Sequence, residues 1–428
     1  MNYEEALQYL DKIREYGAKL ELNNIQKIID NFPFDLKKKK FIQVAGTNGK
    51  GSTSHFITSI LIKNGYTTGL FTSPHLLNIR ERITINKTWI TKDDFAQALG
   101  NVKNLSEKLL DKGSIQNPPT YFEHLFLTSL YYFCMRNADF IVLEVGLGGR
   151  LDATSTITPV VSVITNISKD HTKTLGPNIK DIAAEKAGII KHNVPVVVGS
   201  PPNSTAAKVI KKIAKNLNAP VYFVYGKNSN LDYITEDNHY LVKYSYRTET
   251  FTFKVLLNGR HQIDNANTSL MVSILLKEQG IDLKKKKIFS GIESNFVPGR
   301  VEIFSKNPYI IIDSSHNEES IKALSEFLKE KGKKGMTLVF GVLRDKNYKK
   351  MADYLKPYVE NIILTEPDSK RALPAEKLIS HFNGKNTVII KNYEDVLKKA
   401  KLFKNDILIT GSFYLSGKMK NLLSGGII

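Results

Sequence analysis

The stretch VAGTNGKGST at residues 44–53 combines residue types that can bind phosphate. It follows an apolar run and opens a helical pattern, which predicts a strand, a loop and a helix. Glycines let backbone N–H groups approach a phosphate, and the helix N-terminus adds positive potential. Lys50 would reach the outer phosphates, while Ser52 or Thr53 would offer a hydroxyl near Mg²⁺. The usual loop lacks the intervening Gly51, and a glycine-rich turn before a surface helix is the alternative.

Other polar residues follow predicted strands at the same edge. Glu144 ends the apolar run 140–143, Ser73 and His75 follow the strand 67–71, and His171 comes after the strand 161–165. The carboxyl ends of parallel strands meet at one edge of a sheet, where α/β proteins bind ligands. Because hard cations prefer oxygen ligands, Glu144 is a candidate for Mg²⁺ beside the phosphate loop.

A second group follows a later strand, where DSSHN at 313–317 succeeds the apolar run 309–312. Asp313 and His316 could bind nucleotide hydroxyls or a carboxylate, and capping of the next helix is the alternative. Glu185 and Lys186 read on their own as a charged pair on a helix surface.

Alternating strands and helices must position these groups. The predicted strands are 41–45, 67–72, 139–145, 160–166, 194–199 and 219–224, followed by 309–313, 336–340, 360–364, 387–390 and 406–410. The predicted helices include 52–64, 92–111, 120–136, 203–216 and 262–279, and one or two amphipathic helices over 3–32. Alternation in 230–257 indicates antiparallel hairpins. The fold class is therefore α/β: a doubly wound domain over 1–297 with a small antiparallel subregion, and a smaller Rossmann-like domain over 298–428.

Composition narrows the function classes. A net charge of +19 over 428 residues favours anionic partners, but the lysines are dispersed, which favours nucleotides and carboxylates over a nucleic acid. No apolar run approaches the roughly 20 residues that span a bilayer, and no secretory leader is visible. The lone Cys134 is interpreted as a small buried hydrophobe, which fits a reducing compartment. We therefore expect a cytoplasmic monomer without membrane or nucleic-acid partners.

Nine motifs in order resemble those of the folylpolyglutamate synthases, a Mur ligase family that includes bifunctional dihydrofolate synthases. They are GTNGKGS, TSPHL with RERI, TYFE, EVGLGGRLDAT, DHTKTLG, EKAGIIK, GRHQIDNA, PGRVE and D-x-x-HN. The resemblance covers nearly the whole chain. It implies that ATP phosphorylates a folate carboxylate, that the amine of L-glutamate attacks the acyl phosphate, and that ADP and phosphate leave.

The resemblance also implies roles for individual residues. The phosphate and nucleotide contacts would be Gly49, Lys50, Gly51, Ser52, Asn265, Arg300 and Asp313. The Mg²⁺ ligands would be Ser73, Glu144 and His171. A carbamylated Lys186 would hold a second metal, and His316 would lie near the glutamate or the transferring phosphate. The pterin or folate pocket would comprise Thr120, Tyr121, Phe122, Glu123, Leu151, Asp152 and Ala153.

Two departures from the family pattern bear on these roles. The second-domain motif usually reads DGAHNP, and here Glu318 replaces the proline, which leaves the start of the next helix open. Val297 occupies a position where the family often has tryptophan, and we expect this difference to alter packing at the hinge more than the chemistry. The alternatives to a folate ligase are a Mur-type ligase acting on a cell-wall precursor and a basic nucleic-acid-binding NTPase. Whether the activity is dihydrofolate synthesis, polyglutamate extension or both stays open.

Overall fold

The first sheet has the strand order β4-β3-β2-β5-β1-β6-β7-β8. The computed structural model describes residues 1–14, 22–236 and 239–425. The strands are β1 (Lys40–Ala45), β2 (Thr68–Phe71), β3 (Ile83–Ile85), β4 (Thr88–Trp89), β5 (Phe140–Glu144), β6 (Val161–Ile164), β7 (Val196–Val198) and β8 (Val221–Phe223). All are parallel except β3 and β4, which form an antiparallel edge. The carboxyl ends of the parallel strands therefore share one edge of the sheet.

Helices cover both faces of this sheet. They are α1 (Tyr3–Ile13), α2 (Leu22–Asp30), α3 (Lys50–Lys63), α4 (Lys92–Asp111), α5 (Tyr121–Met135), α6 (Thr172–Leu175), α7 (Ile179–Ala187), α8 (Thr205–Asn216), α9 (His261–Glu278) and α10 (Lys285–Glu293). Phe140 and Val142 of β5 join the core beneath α3 and α9, whereas Ile141 and Leu143 join the core beneath α4 and α5. Because side chains alternate along a strand, β5 is buried on both faces.

A three-stranded antiparallel sheet packs beside α9, in the order β11-β10-β9. Its strands are β9 (Ser229–Glu236), β10 (His239–Tyr246) and β11 (Glu249–Val255). Tyr240, Val242 and Tyr244 alternate with more exposed residues and enter the same core as α3. The alternation in the sequence therefore reflects one buried face.

The second large sheet has the order β12-β13-β17-β14-β15-β16. Its elements are β12 (Glu302–Lys306), β13 (Tyr309–Ile312), α11 (Glu318–Glu330), β14 (Met336–Phe340), α12 (Tyr348–Leu355), β15 (Val359–Leu364), β16 (Asn386–Ile389), α13 (Tyr393–Leu402), β17 (Ile407–Thr410) and α14 (Phe413–Leu423). Only β12 among them pairs antiparallel. We call the parts built on the two large sheets the first and second lobes.

The predicted fold class is confirmed, including the antiparallel subregion and the smaller second domain. The strands β3, β4 and β12 were not predicted from the sequence. Part of the helical prediction over 3–32 falls on residues 15–21, which lie outside the described residues. The boundary between 297 and 298 lies between α10 and β12 and stays a prediction. Cys134 is buried as expected, and among the described helices none is long and apolar enough to cross a bilayer.

Candidate active site

A cavity of about 1190 Å³ lies at the shared strand edge and is lined by residues of both lobes. Every predicted site residue lines it: Gly49, Lys50, Gly51, Ser52, Ser73, Thr120, Tyr121, Phe122, Glu123, Glu144, Leu151, Asp152, Ala153, His171, Lys186, Asn265, Arg300, Asp313 and His316. A smaller cleft of about 460 Å³ beside Cys134 contains none of them. The groups expected to act together therefore do converge, although their roles stay predictions.

The predicted phosphate-binding loop, which we call the phosphate loop, joins β1 to α3. Gly49 caps α3 with a φ of +81°, and a Cβ there would lie 2.3 Å from the Asn265 Oδ1, so this position requires glycine. Lys50 begins the helix, and its Nζ donates to the carbonyls of Gly46 and Thr47, each at 3.2 Å. Burial lowers the pKa of Lys50, and the Glu144 carboxylate opposes that shift. The amine is therefore held against the loop.

Glu144 ends β5 beside this loop. Its Oε2 accepts the Ser73 backbone N–H at 3.0 Å and would lie 3.5 Å from a Cβ added at Gly51. Burial raises the pKa of Glu144, while Lys50 and the Ser73 N–H lower it. A Cβ at Gly51 would be in ordinary van der Waals contact with the carboxylate, so Gly51 lies directly beside Glu144.

His171 lines the same cavity at the start of α6. It has a φ of +50°, and its Nε2 lies 3.9 Å from the Asp170 Oδ2. Within the described residues, no three His, Cys, Asp or Glu side chains are grouped as metal ligands. The predicted set of Ser73, Glu144 and His171 instead combines a hydroxyl, a carboxylate and an imidazole around one cavity. That oxygen-rich, incomplete donor set suits Mg²⁺, which keeps several waters of its own.

Lys186 of α7 reaches the phosphate loop from the other side. Its Nζ donates to the Gly46 carbonyl at 2.7 Å, and the residue is 4% exposed. Burial and the nearby Lys50 lower the pKa of Lys186 to about 7. The surface ion pair considered for Glu185 and Lys186 is therefore wrong: Glu185 pairs with Arg150 at 2.8 Å, while Lys186 points inward.

The folate pocket predicted from the motifs has two kinds of residue. Thr120 and Glu123 form a capping box at the start of α5, and Asp152 accepts the N–H groups of Gly146 and Leu147 at 2.9 and 3.1 Å. Those polar groups shape the backbone. Tyr121, Phe122 and Leu151 add ring and apolar surface to the cavity wall.

The second lobe contributes a cationic and an aromatic wall. Asp313 accepts the backbone N–H groups of Val301 at 2.9 Å and Ser315 at 3.0 Å, so its carboxylate fixes the loops around Arg300. The Arg300 guanidinium lies 4.8 Å from the Phe413 ring centroid, and the His316 ring lies 5.3 Å from the same ring. Burial lowers the pKa of His316 to about 4, so its imidazole is neutral at pH 7.

Polar side chains also join the two lobes across the cavity mouth, and we call them the latch. Glu319 accepts from Asn48 at 2.6 Å, from Ser168 at 2.6 Å and from Asn166 at 3.2 Å. Lys346 pairs with Asp170 at 2.7 Å, with both side chains at least nine-tenths buried.

Asn317 completes the latch by donating to the Asp170 carboxylate at 3.0 Å and to the Asn48 amide oxygen at 2.9 Å. Sequence reasoning missed Glu319 and Lys346. Their partners lie 151 to 271 positions away in sequence, so no local pattern marks them.

Comparison with known proteins shows which family this chain belongs to. Residues 44–273 match the Mur ligase middle domain, and residues 299–413 match the Mur ligase glutamate ligase domain. The chain is 32% identical to the dihydrofolate synthase/folylpolyglutamate synthase of Bacillus subtilis, covering 98% of this chain and 99% of the relative. It is 31% identical to the folylpolyglutamate synthase of Lacticaseibacillus casei, covering all of both chains. The chain belongs to the folylpolyglutamate synthase family.

Solved structures of the folylpolyglutamate synthase family superpose on the whole chain. E. coli FolC in complex with DHPP and ADP has a TM-score of 0.86 at 28% identity, covering 100% of this chain and 98% of that one. The Mycobacterium tuberculosis folylpolyglutamate synthase complexed with ADP has a TM-score of 0.90 at 26% identity, covering 98% of both chains. These neighbours favour an ATP-dependent folate ligase over the two alternatives.

Both departures from the folylpolyglutamate synthase pattern have a structural outcome. The Asn317 side chain caps α11 by accepting the Ser320 N–H at 2.9 Å, so the helix begins at Glu318 without the usual proline. Val297 is 5% exposed and packs into the core beneath α3. A valine therefore fills the position where the family often has tryptophan.

Proposed function

We propose that this chain ligates L-glutamate to a folate, using ATP and passing through an acyl phosphate. The observation that carries the proposal is the single cavity in which the phosphate loop, the Glu144 carboxylate, the Arg300 guanidinium and the apolar wall of Phe122 and Leu151 meet. One end suits a triphosphate and the other suits a flat aromatic substrate. The reacting groups would be held between two lobes that exclude water from the reactive intermediate.

In the first step, an oxygen of the folate carboxylate attacks the γ-phosphorus of ATP, and the bond to the ADP oxygen breaks. In the second step, the neutral amine of glutamate attacks the acyl carbon, inorganic phosphate leaves, and the amine gives up a proton. Gly49 to Ser52 would bind the phosphates through backbone N–H groups, and Lys50 would stabilise the charge of the transferring phosphoryl group. Asn265, Arg300 and Asp313 would form the nucleotide side, and His316 the glutamate or phosphate side.

Ser73, Glu144 and His171 would hold Mg²⁺, because their donor atoms fit a hard cation that retains water. When bound, Mg²⁺ would neutralise charge on the phosphate oxygens. Lys186 fits the predicted carbamate: its amine lines the cavity, and a pKa of about 7 leaves much of it neutral and able to take up CO₂ at physiological pH. A carbamylated Lys186 would supply the oxygen ligands of a second metal site.

The carbamate has a direct test in a Lys186→Ala variant assayed with and without acetate or propionate. We expect an inactive variant that a short carboxylate partly restores, because the added anion replaces the lost oxygen ligands. Lys191→Ala is the matched control, since this half-buried lysine donates to the Ser155 carbonyl away from the phosphate loop. Full activity of Lys186→Ala without any added carboxylate contradicts the carbamate.

The ligase activity itself is tested with ATP, Mg²⁺, labelled L-glutamate and either dihydropteroate or tetrahydrofolate. We expect one glutamyl residue in the product per ADP released, measured by mass spectrometry and a coupled ADP assay. The pair of substrates separates dihydrofolate synthesis from polyglutamate extension. ATP hydrolysis that is independent of any pterin, or stimulation by a polynucleotide, contradicts the proposal. Cytoplasmic location, a monomeric state and the absence of membrane or nucleic-acid partners stay predictions.

A further inference from the structure

Arg82 lies in the cavity wall as a buried cation without an acidic partner in the described part of the chain. It ends the 3-10 turn Ile79–Arg82, directly before β3, and is 7% exposed. Among the described residues no carboxylate lies within 4.0 Å of its guanidinium. The adjacent Glu81 is committed elsewhere, since its carboxylate accepts the N–H groups of Leu76, Leu77 and Asn78. A buried unpaired charge is costly to maintain, which points to a ligand anion as the missing partner.

His75 fixes the orientation of this guanidinium. The Arg82 Nε donates to the His75 Nδ1 at 2.8 Å, which is the guanidinium's only side-chain hydrogen bond within the described part of the chain. The imidazole therefore accepts through Nδ1 and holds one edge of the planar group. Both terminal nitrogens stay available for the bidentate geometry that guanidinium groups make with carboxylates. His75, which the sequence suggested as a cavity ligand, does not itself line the cavity and contacts Arg82 instead.

The neighbours of Arg82 along the cavity indicate which kind of ligand anion it could bind. Its charge reaches Glu144 beside the phosphate loop, where it favours the ionised carboxylate. On its other side, the guanidinium lies 5.9 Å from the ring centroid of Tyr121, which precedes Phe122 of the apolar wall. Arg82 thus lies between the phosphate end and the end suited to an aromatic substrate.

We propose that Arg82 binds the α-carboxylate of the glutamyl residue already present on a folate, and that His75 is the residue that positions it. This inference rests on the proposed folate ligase function. The γ-carboxylate of that glutamyl residue is the group that reacts, so the α-carboxylate lies a few bonds away from the phosphoryl group and needs its own partner. Dihydropteroate has one carboxylate, which itself reacts, and so offers nothing for this contact. Arg82 is therefore a specificity determinant for chain extension.

The test compares tetrahydrofolate with its analogue in which the α-carboxylate is a carboxamide. Wild-type protein should favour the acid by about tenfold to a hundredfold in kcat/KM, the range expected for a hydrogen-bonded charge. In Arg82→Gln that preference should fall to about threefold or less. A preference retained at the wild-type value overturns the assignment, as does an equal loss for both substrates. If wild-type protein ligates neither substrate, the proposed function fails and not this assignment alone.

Arg80→Gln is the matched control from the same turn. Its guanidinium lies 5.8 Å from the Trp89 ring, and the residue does not line the cavity, so the preference for the acid should be unchanged. A loss of preference in this control would show that the turn as a whole, and not Arg82, sets the specificity.

The positioning role of His75 is tested with His75→Leu and His75→Asn. These variants also test the assignment of Arg82 if Arg82→Gln does not fold. Leucine fills the space without an acceptor, whereas asparagine places an oxygen near the position of Nδ1. We expect His75→Leu to raise the KM for tetrahydrofolate about tenfold, with a smaller change in kcat and in the KM for ATP, and His75→Asn to restore it. Equal changes in every constant for both variants contradict a positioning role.

Discussion

Lys50 is the residue on which the phosphate assignment depends most directly. Its amine lies against the Gly46 and Thr47 carbonyls at the start of α3, inside the cavity. If Lys50 stabilises the transferring phosphoryl group as proposed, Lys50→Ala should lower kcat by about a hundredfold or more, because that preorganised charge is lost. The melting temperature should change little. Kinetic measurement beside Lys63→Ala, an exposed lysine at the end of the same helix, provides the comparison.

Near-normal turnover of Lys50→Ala would show that Lys50 does not take part in phosphoryl transfer. Lys63→Ala should keep wild-type kinetics, and a similar loss in both variants would instead indicate that α3 tolerates no change of charge.

The sequence motifs predicted correctly which residues line the cavity, but they did not predict which of those side chains hydrogen-bond to their own backbone. Thr120, Glu123 and Asp152 do line the cavity, yet their oxygens accept backbone N–H groups of their own loops. A sequence pattern cannot separate a capping carboxylate from one that faces a ligand, because both need an acid at the same strand or helix end. Arg82 shows the converse: only the lack of an acidic partner among the described residues marked it as a candidate binding residue.

At the scale of elements, apolar periodicity predicted the long strands and helices but missed the short antiparallel ones. β3 and β4 span Ile83–Ile85 and Thr88–Trp89, which is too short for an alternating pattern. β12 follows the Pro298 turn and is only partly buried, so its sequence lacks the apolar run that marks its neighbours. Tertiary pairing, rather than local sequence, makes these strands.

The start of α11 connects the lobes through Glu319. Glu319→Ala should lower kcat/KM for ATP about tenfold, because three donors from the first lobe, including Asn48 of the phosphate loop, lose their acceptor. Glu318→Ala is the neighbouring control, since Glu318 pairs with Lys350 inside the second lobe. Steady-state kinetics with ATP as the varied substrate measures both.

Equal kinetics for the Glu319→Ala and Glu318→Ala variants would show that the latch does not influence the phosphate loop. A loss in the control alone would place the effect in the packing of α11.

At the scale of the molecule, the Asp170–Lys346 pair makes docking of the lobes sensitive to acid. Burial alone would raise the pKa of Asp170, but Lys346 and His171 outweigh it and lower the pKa. The pKa of an aspartate in the unfolded chain is about 4. The pair's contribution to stability is therefore complete above about pH 4 and is lost as the pH falls through the lower pKa of Asp170 in the folded protein.

Calorimetry of wild type and Asp170→Asn across pH should therefore show a difference in melting temperature that is constant near neutrality and shrinks below about pH 4. Asp94→Asn is the control, because its pair with Arg136 lies within the first lobe and half of the arginine is exposed. A difference that does not depend on pH would mean that the carboxylate of Asp170 contributes no charge interaction to stability.

Closure of the cavity also depends on a close approach at Gly417. This residue of α14 packs against the first lobe so tightly that a Cβ would lie 1.9 Å from the Leu76 carbonyl oxygen. Gly417→Ala must therefore shift the helix or the loop around Leu76, and Arg300 and His316 of the same lobe would move relative to Lys50. We expect a loss of about tenfold or more in kcat/KM for ATP, because small displacements of reacting groups are costly.

Gly100→Ala in α4 is the control: its nearest neighbour is the flexible Met1 side chain at 3.8 Å, so alanine should leave the kinetics unchanged and slightly stabilise the helix. Wild-type kinetics for Gly417→Ala would show that the lobes can shift there without disturbing the site, and that the contact serves stability alone.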